Sequence, residues 1–287
     1  MLNHRVMKSL QTCAVLALAL TAPAFAGSPQ NTRTFVSTGG DDGSPCLVNT
    51  PCRSLAAALA VTAPNGEVVI VTSGGYGPFS ITKPVTISAV GVSASVIATD
   101  TPAITINTSG NVTIVGLALH GQGKPDAQFG IDVTQVGYLH LYNVTMDGFS
   151  LDGMKFNSTG TLAIYNSRFT DNTFYGLEIN AGNVQIHNTA IENNGLAGVN
   201  NEGHMTLADS QINGNVIGLL NSGTLVLIRD EILLNGTSIS SSAGAVNLSY
   251  CLLAQNTTAF SGTIKGTAPA TNLILDAETV GSTSTLQ

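Results

Sequence analysis

The sequence predicts an all-β solenoid, a stack of similar coils along one axis. Three consecutive segments, starting at Leu139, Leu162 and Val184, repeat one pattern of alternating apolar residues, Asn, a polar turn and Gly-apolar. Each unit of 21 to 23 residues is too small to bury its own apolar face, so the units must stack. Charged residues make up only 9% of the chain, which suits stacked strands because like charges one above another repel.

Residues 1–26 have the pattern of a secretory signal. Arg5 and Lys8 precede the apolar run 14–20, and the small-x-small site 24–26 follows it. The run is too short to span a bilayer. We therefore expect a bacterial protein that is secreted, periplasmic or at the cell surface, without a transmembrane segment after cleavage.

The charge balance limits the partners of the mature chain. Removing Arg5 and Lys8 leaves eight basic against seventeen acidic residues, a net charge of −9. Nucleic acids and anionic membranes require clustered Lys and Arg, so the balance argues against both. It also argues against tight binding of a polyanionic sugar chain unless a cation bridges the two. No cofactor or metal site is predicted, and calcium stays open without support from the sequence.

Residues 27–65 form a predicted N-terminal region with a loop and a cap. Cys46 and Cys52 most plausibly form a disulfide in an exported chain, while a metal site is the alternative that two thiols without a nearby His make less favourable. Residues 53–62 are Ala-rich with apolar residues four apart, which predicts a short helix capping the first coil. Cys251 is expected to be a buried free thiol.

The coils are expected over residues 66–267, with a C-terminal cap or tail at 268–287. Two longer units start near Val85 and Val112, and the second carries a Gly/Pro insertion at 121–129. Such insertions often border a binding surface. Asn residues recur after the first strand of each unit and form a predicted structural column, continued by an Asp: Asn143, Asn166, Asn188 and Asp209.

Three short β segments per unit, with turns at Asn and Gly, resemble the right-handed parallel β-helix of the pectate-lyase-like superfamily. Residues 51–88 are similar to the capping helix and first coil of bacterial exported β-helix repeat proteins, a group largely without assigned activity. The resemblance implies a single-domain right-handed parallel β-helix with a short N-terminal capping α-helix. The catalytic patterns of polygalacturonases and alginate epimerases do not carry over to this sequence. Asp41-Asp42 lies before the helix, and His120 follows Leu119.

The second strand of each unit presents an outward column that is the candidate catalytic face. Two carboxylates on it, flanked by a His and an Arg, suit a glycoside hydrolase or a polysaccharide lyase. A solvated strand face is the alternative. Similarity to the acidic calcium cluster of pectate lyases is loose and also involves Asp171. The column comprises His120, Asp147, Thr170, Glu192 and Asn213, with Arg168 beside it and a loop bearing Lys124 and Asp126 expected over His120.

Two further outward columns are predicted. Tyr142, Tyr165 and His187 on the first strand form either an aromatic strip for sugar binding or ordinary cross-strand packing, and Lys124 is added as a substrate-binding residue. Third-strand residues of alternating charge predict a stabilising ladder. That ladder comprises Asp132, Lys155, Glu178 and Asn200.

The outward apolar residues around Val216–Leu234 predict a covered surface, buried by the C-terminal segment or by a homo-oligomer contact. Two functions remain open at this stage. The first is an exported β-helix module, carbohydrate-binding or structural, with a polysaccharide as its partner. The second is a polysaccharide lyase or glycoside hydrolase acting on the outer face, and fold analogy alone does not decide between them.

Overall fold

The computed structural model describes residues 30–99 and 102–262, and the backbone of residues 274–275. The predicted signal segment, residues 1–26, lies outside the described residues, as does most of the predicted tail 268–287. Within the described ranges, no helix combines the length and apolarity needed to span a bilayer.

The chain consists of one short helix and many short strands. The N-terminal elements are β1 (Asn31–Val36), α1 (Leu55–Val61), β2 (Thr62–Ile70), β3 (Gly74–Tyr76), β4 (Phe79–Ile81), β5 (Val85–Ser88), β6 (Ala94–Ile97), β7 (Ile104–Asn107), β8 (Asn111–Val115), β9 (Leu117–His120) and β10 (Phe129–Gln135). The regular coils contain β11 (Tyr138–Tyr142), β12 (Thr145–Asp147), β13 (Asp152–Phe156), β14 (Thr161–Tyr165), β15 (Arg168–Thr170), β16 (Tyr175–Ile179), β17 (Asn183–His187), β18 (Ala190–Glu192), β19 (Ala197–Asn201), β20 (His204–Ala208), β21 (Gln211–Asn213), β22 (Ile217–Asn221), β23 (Thr224–Ile228), β24 (Glu231–Leu233), β25 (Thr237–Ser241), β26 (Ala245–Ser249), β27 (Leu252–Ala254), β28 (Thr258–Gly262) and β29 (Ile274–Leu275).

These strands form three parallel sheets that run the length of the stack. The first sheet contains β1, β2 and then every third strand from β5 to β26. The second sheet runs from β3 to β27 in the same steps and adds β29, and the third runs from β4 to β28. The predicted parallel β-helix is therefore confirmed, and the predicted coil starts coincide with the strands of the first sheet.

The core is formed by side chains that point inward from all three sheets. In the first sheet Leu139 pairs with Leu162, and Leu162 pairs with Val184, in exact register from coil to coil. All three side chains are buried, as the alternation predicts. Each fully buried aliphatic side chain contributes about 1.5–3 kcal/mol relative to an exposed one. Stacking therefore supplies the burial that a single coil lacks.

The N-terminal end of the stack is closed by α1 and a disulfide-bonded loop. Ser54 caps the helix, since its side chain accepts a hydrogen bond from the backbone N–H of Ala57. The predicted disulfide between Cys46 and Cys52 is present. The strand β1 was placed in the N-terminal loop by sequence, yet it pairs with β2 and opens the first sheet. Its single apolar pair, Phe35-Val36, is too short a pattern to indicate a strand.

A buried asparagine ladder holds the second turn, between the second and third sheets. The backbone N–H and the amide NH₂ of each Asn donate to the side-chain oxygen of the Asn one coil further on, over 2.9–3.2 Å. These bonds satisfy backbone groups that would otherwise be buried without partners. This ladder was not predicted from the sequence, although its members recur every 20 to 22 residues: Asn172, Asn194, Asn215, Asn235 and Asn256.

The first turn, between the first and second sheets, has two columns. The predicted outer column is present, and its members Asn143, Asn166 and Asn188 adopt left-handed backbone conformations that Asn tolerates. The Asn188 amide donates to Asn166 Oδ1 over 2.7 Å. A second, buried column follows by one residue, in which each side-chain oxygen accepts the backbone N–H of the preceding coil. That column comprises Ser167, Thr189, Ser210 and Asp230.

We predict that Asn215→Ala lowers the free energy of unfolding by about 3 kcal/mol, because it leaves the buried N–H of Asn194 without an acceptor. Equilibrium urea unfolding measures the change. The control is Asn180→Ala, which removes an exposed amide pair with Asn157 and should cost less than about 1 kcal/mol. Equal losses in the two variants would contradict a structural role specific to the buried ladder.

Candidate functional site

The ionisable column predicted on the second sheet is present in register. Asp147 pairs with His120 on one side and with Thr170 on the other. Thr170 in turn pairs with Glu192, and Glu192 with Asn213. Strand alternation places all five side chains on the outer face because their neighbours Leu119, Met146, Phe169, Ile191 and Ile212 fill the core.

His120 and Asp147 form a hydrogen-bonded pair on this column. The Nδ1 atom of His120 lies 2.9 and 3.0 Å from the two carboxylate oxygens of Asp147. Both side chains are about one-third exposed, at 34% and 32%. A carboxylate at Nδ1 fixes the orientation of a neutral imidazole and directs its basic lone pair to Nε2. This is the arrangement of an oriented general base.

Glu192 is paired separately, with Arg168. The Arg168 Nη2 atom lies 2.8 Å from Glu192 Oε2, and the arginine is more exposed than the carboxylate. Thr170 separates Asp147 from Glu192, so two coil spacings, about 10 Å, divide the carboxylates. The structure therefore brings the four candidate catalytic residues onto one face as two pairs, the hydrogen-bonded pair His120–Asp147 and the ion pair Arg168–Glu192.

A shallow groove adjoins His120 and extends over the coils before and after it. It is lined by Ser93, Ser95, His120, Asn143 and Thr145, among others. The insertion with Lys124 and Asp126 connects β9 of the second sheet to β10 of the third. Its backbone bonds to Asp147 and Gly148 of the next coil, and Ser150 Oγ donates to the carbonyl of Pro125. Lys124 thus lies at the corner between the second and third sheets, away from the aromatic residues of the first.

The aromatic column of the first sheet is a stack of rings. Tyr142 and Tyr165 lie 4.9 Å apart at an interplanar angle of 11°, and Tyr165 and His187 lie 5.4 Å apart at 6°. Their inner faces are occupied by one another, so these faces serve cross-strand packing. At the two ends the neighbouring coils carry smaller side chains, Val115 beside Tyr142 and Ala208 beside His187.

Two further rings on β11 extend this array and were missed in the sequence. The ring of His140 lies 4.1 Å from that of Tyr138 and 5.8 Å from that of Tyr142, both at steep angles. The alternation Tyr-Leu-His-Leu-Tyr was the available signal, because alternate residues share a face. The five rings form an L, with a row along β11 and a column across three coils.

A notch borders this array on its N-terminal side. It is lined by Asn111, Thr113, Tyr138 and His140 together with the backbone of Val112. The rings stand above the shorter side chains of β8, which leaves part of the ring surface open. Burial lowers the pKa of His140 and raises the pKa of Tyr138. Both groups are therefore uncharged near pH 7 and offer hydrogen bonds beside apolar ring surface.

The third sheet carries the predicted charge ladder and a buried carboxyl group beside it. Lys155 pairs in register with Asp132 and Glu178, and its Nζ atom lies 2.8 Å from Glu178 Oε2. Asp152 is 4% exposed and accepts the backbone N–H of Tyr175 over 3.0 Å. Burial, reinforced by Glu178, raises the pKa of Asp152 to about 7. Asp152 was not predicted from the sequence as a site residue; in other coils the equivalent position is occupied by Ala197 or Ile217.

Among the described residues, no group of three or more His, Cys, Asp or Glu side chains is placed to hold a metal ion. Cys251 is a buried free thiol, as predicted. The outward apolar residues Leu220, Val226 and Leu233 are half-buried, whereas Val216 and Leu234 are 57% and 61% exposed. The prediction that a partner or the tail covers this surface remains a prediction.

Sequence comparison identifies the family. The family described as the right-handed β-helix region matches residues 80–217 and 130–277, which together span more than half of the chain. The protein belongs to this family. No curated protein sequence matches the chain.

Several solved structures are similar to this one. Pectate lyase Pel9A aligns over 91% of this chain and 80% of its own, with 15% identity and a TM-score of 0.54. XylC in complex with xylose aligns over 82% of this chain and 67% of its own, with 9% identity and a TM-score of 0.65. ORF18 of Geobacillus virus E2 aligns over 84% of this chain and 59% of its own, with 12% identity and a TM-score of 0.51. At these identities the similarities establish the fold alone.

The buried carboxyl groups predict a pH dependence of stability. The pKa of Asp152, about 7 when folded, exceeds its ordinary value of 3.8, so the folded state keeps a proton that the unfolded state releases. The free energy of unfolding therefore falls as the pH rises from about 4 to about 7, by up to about 4 kcal/mol for this group. Burial also raises the pKa of Asp230 to about 7, so this group adds to the same slope.

Asp152→Asn should flatten this slope, because an amide stays neutral and can still accept the Tyr175 N–H. Urea unfolding between pH 4 and pH 8 measures it. Asp209→Asn is the control, since Asp209 is exposed and its bond to Arg229 lowers the pKa of Asp209. An unchanged slope in Asp152→Asn would show that this carboxyl group is ionised in the fold.

Proposed function

We propose that this protein is an exported carbohydrate-binding β-helix module that binds on the outer face of its first sheet. The notch formed by Asn111, Thr113, Tyr138 and His140 is the observation that carries the proposal. Here open aromatic surface lies beside amide, hydroxyl and imidazole groups. The disulfide between Cys46 and Cys52 supports an oxidising compartment outside the cytosol, such as the periplasm, cell surface or medium.

The chemistry of the notch suits a sugar ring. One face of a pyranose carries C–H groups and its rim carries hydroxyls, so a site must combine ring surface with hydrogen-bonding side chains. Tyr138 and His140 supply the surface, and Asn111 and Thr113 supply donors and acceptors. The end faces of the Tyr142–Tyr165–His187 stack offer further contacts along the same sheet.

The similar structures support the same class of ligand. Pectate lyase Pel9A and XylC, the latter solved with xylose, both share the solenoid over most of this chain. Their sequence identities are low, so they favour a carbohydrate in general and no particular sugar. A homo-oligomer contact through the apolar surface around Val216–Leu234 is compatible with this proposal, because that surface lies at the C-terminal coils and the notch at β8 and β11.

Tyr138→Ala is expected to weaken polysaccharide binding about tenfold, since one aromatic contact of about 1–1.5 kcal/mol is lost. Isothermal titration with xylan, cello-oligosaccharides, mannan and pectin fragments measures the affinity. Phe174→Ala is the matched control, because Phe174 is a 43% exposed ring at the second turn.

A second variant tests the notch without removing a ring. Thr113→Tyr places a ring beside His140 in the preceding coil. The new ring fills the notch, and the core is unchanged because residue 113 points outward. This variant should reduce binding as Tyr138→Ala does. Full affinity in both variants would place any carbohydrate site elsewhere on the molecule.

A polysaccharide lyase or glycoside hydrolase is the second candidate, and the His120–Asp147 pair is the observation that favours it. In a lyase, His120 would take the proton from the carbon next to a uronate carboxylate. A C=C bond would form there as the bond to the glycosidic oxygen breaks. In a hydrolase, Asp147 and Glu192 would act from opposite sides, at about 10 Å, close to the upper end of the inverting range. Arg168 would hold the Glu192 side chain in position through their contact of 2.8 Å.

For this candidate we predict that His120→Ala and Asp147→Asn each lower turnover at least about 100-fold, the usual contribution of a general base. Reducing-end release measures both reactions, and absorbance of the new double bond identifies a lyase. Lys155→Ala on the third sheet is the control. Absence of products from every polysaccharide, with calcium and without it, leaves the binding module as the function.

A further inference from the structure

The charges of this protein are separated between its faces. The eight strands of the first sheet from β5 to β26 contain no Asp, Glu, Lys or Arg. Their outward positions carry Thr, Ser, Asn, Gln, His, Tyr and small apolar residues. By contrast, the strands of the second and third sheets carry seven charges on outward columns: Asp132, Asp147, Lys155, Arg168, Glu178, Glu192 and Glu231.

The basic groups that border the first sheet are engaged within the protein. Lys83, two residues before β5, donates to the backbone carbonyl of Thr62. At the N-terminal edge, Glu67 is paired with Arg33 over 2.6 Å. At the first turn, Asp209 is bound by Arg229 over 2.6 and 2.7 Å. Glu202, exposed in the third turn before β20, contributes a negative charge beside the sheet.

A uronic-acid polymer presents a carboxylate on every sugar, and burying a carboxylate against protein requires a cation or several charge-assisted donors. From β5 to β26 the first-sheet face offers none of the Arg or Lys side chains that supply them, and Arg33 on β1 is already paired with Glu67. The whole chain is acidic, with a net charge of −7, so its field repels a polyanion. A neutral sugar requires only that its hydroxyls find hydrogen-bonding partners, which Thr and Asn provide.

We infer that the ligand of the first-sheet face is a neutral polysaccharide, and that polyuronates are excluded from it. This inference rests on the proposed carbohydrate-binding function and names its substrate class. It also separates this protein from what the name of pectate lyase Pel9A suggests, since a pectate is an anionic polymer.

The decisive experiment compares polymers that differ only in charge. Binding of the full chain is measured at pH 7.5 and low salt to hydroxyethyl cellulose against carboxymethyl cellulose, and to methyl-esterified against de-esterified polygalacturonan. Xylan and mannan complete the neutral set. We expect at least one neutral polymer to bind at least about tenfold more tightly than every anionic one, equivalent to about 1.4 kcal/mol, and Tyr138→Ala to weaken that binding.

Two other outcomes have distinct meanings. Equal or tighter binding of de-esterified polygalacturonan that Tyr138→Ala weakens would overturn the neutral-ligand inference and leave the carbohydrate-binding function intact. Binding of no polymer at all would overturn the proposed function itself. Calcium is added in a parallel series, and polyuronate binding that appears only with calcium also contradicts the inference.

Two variants that introduce opposite charges at one position of the protein test the same inference. Gln185 is exposed and lies in the column of His140, two coils further on. Gln185→Lys should strengthen binding of de-esterified polygalacturonan about two- to fivefold, and Gln185→Glu should not, since one new exposed ion pair contributes up to about 1 kcal/mol. Both variants should leave the neutral ligand within about twofold. Polyuronate binding that is strong in the wild type and insensitive to both changes would refute the inference.

Discussion

The hydrogen bonding of the turns is the constraint on which the rest of the structure depends. At the turns of each coil, side chains and backbone amides point toward the core. The buried N–H groups of these amides need acceptors. The asparagine ladder from Asn172 to Asn256 provides these acceptors at the second turn, and hydroxyl groups provide them at the first. Because each acceptor comes from the adjacent coil, the same bonds also fix how one coil sits on the next.

That fixed register converts positions in the repeat into properties of whole faces. A residue of one coil lies directly against its equivalent in the next, so each outward position forms a continuous column. The first sheet collects aromatic and neutral polar side chains, the second collects His120, Asp147, Arg168 and Glu192, and the third collects carboxylates around Lys155. Three chemically different surfaces thus arise on one core. The charged and aromatic side chains of each surface therefore determine which kind of ligand can bind there.

The parts of this structure that depend on strand alternation could be predicted from the sequence, and the parts that depend on turns and on differences between coils could not. Alternation places Leu139 inward and puts His120 in one column with Asp147, whatever the details of the turns. The inward direction of Asn172 depends on the turn conformation, which a polar residue in a polar stretch does not reveal. The notch at Thr113 depends on a size difference between consecutive coils, and a repeat pattern does not reveal such differences.

The aromatic residues show why such size differences matter for binding. In a regular stack, the rings of Tyr142, Tyr165 and His187 cover one another at 4.9 and 5.4 Å, and stability is gained at the expense of accessible ring surface. Ring surface becomes available only where a coil with rings adjoins a coil with smaller side chains. That condition holds below β11, where Asn111, Thr113 and Val115 replace rings, and again beyond His187 at Ala208. A binding surface on a solenoid of this kind is therefore created by the interruption of its repeat, while the repeat itself supplies the rigid sheet on which the interruption is displayed.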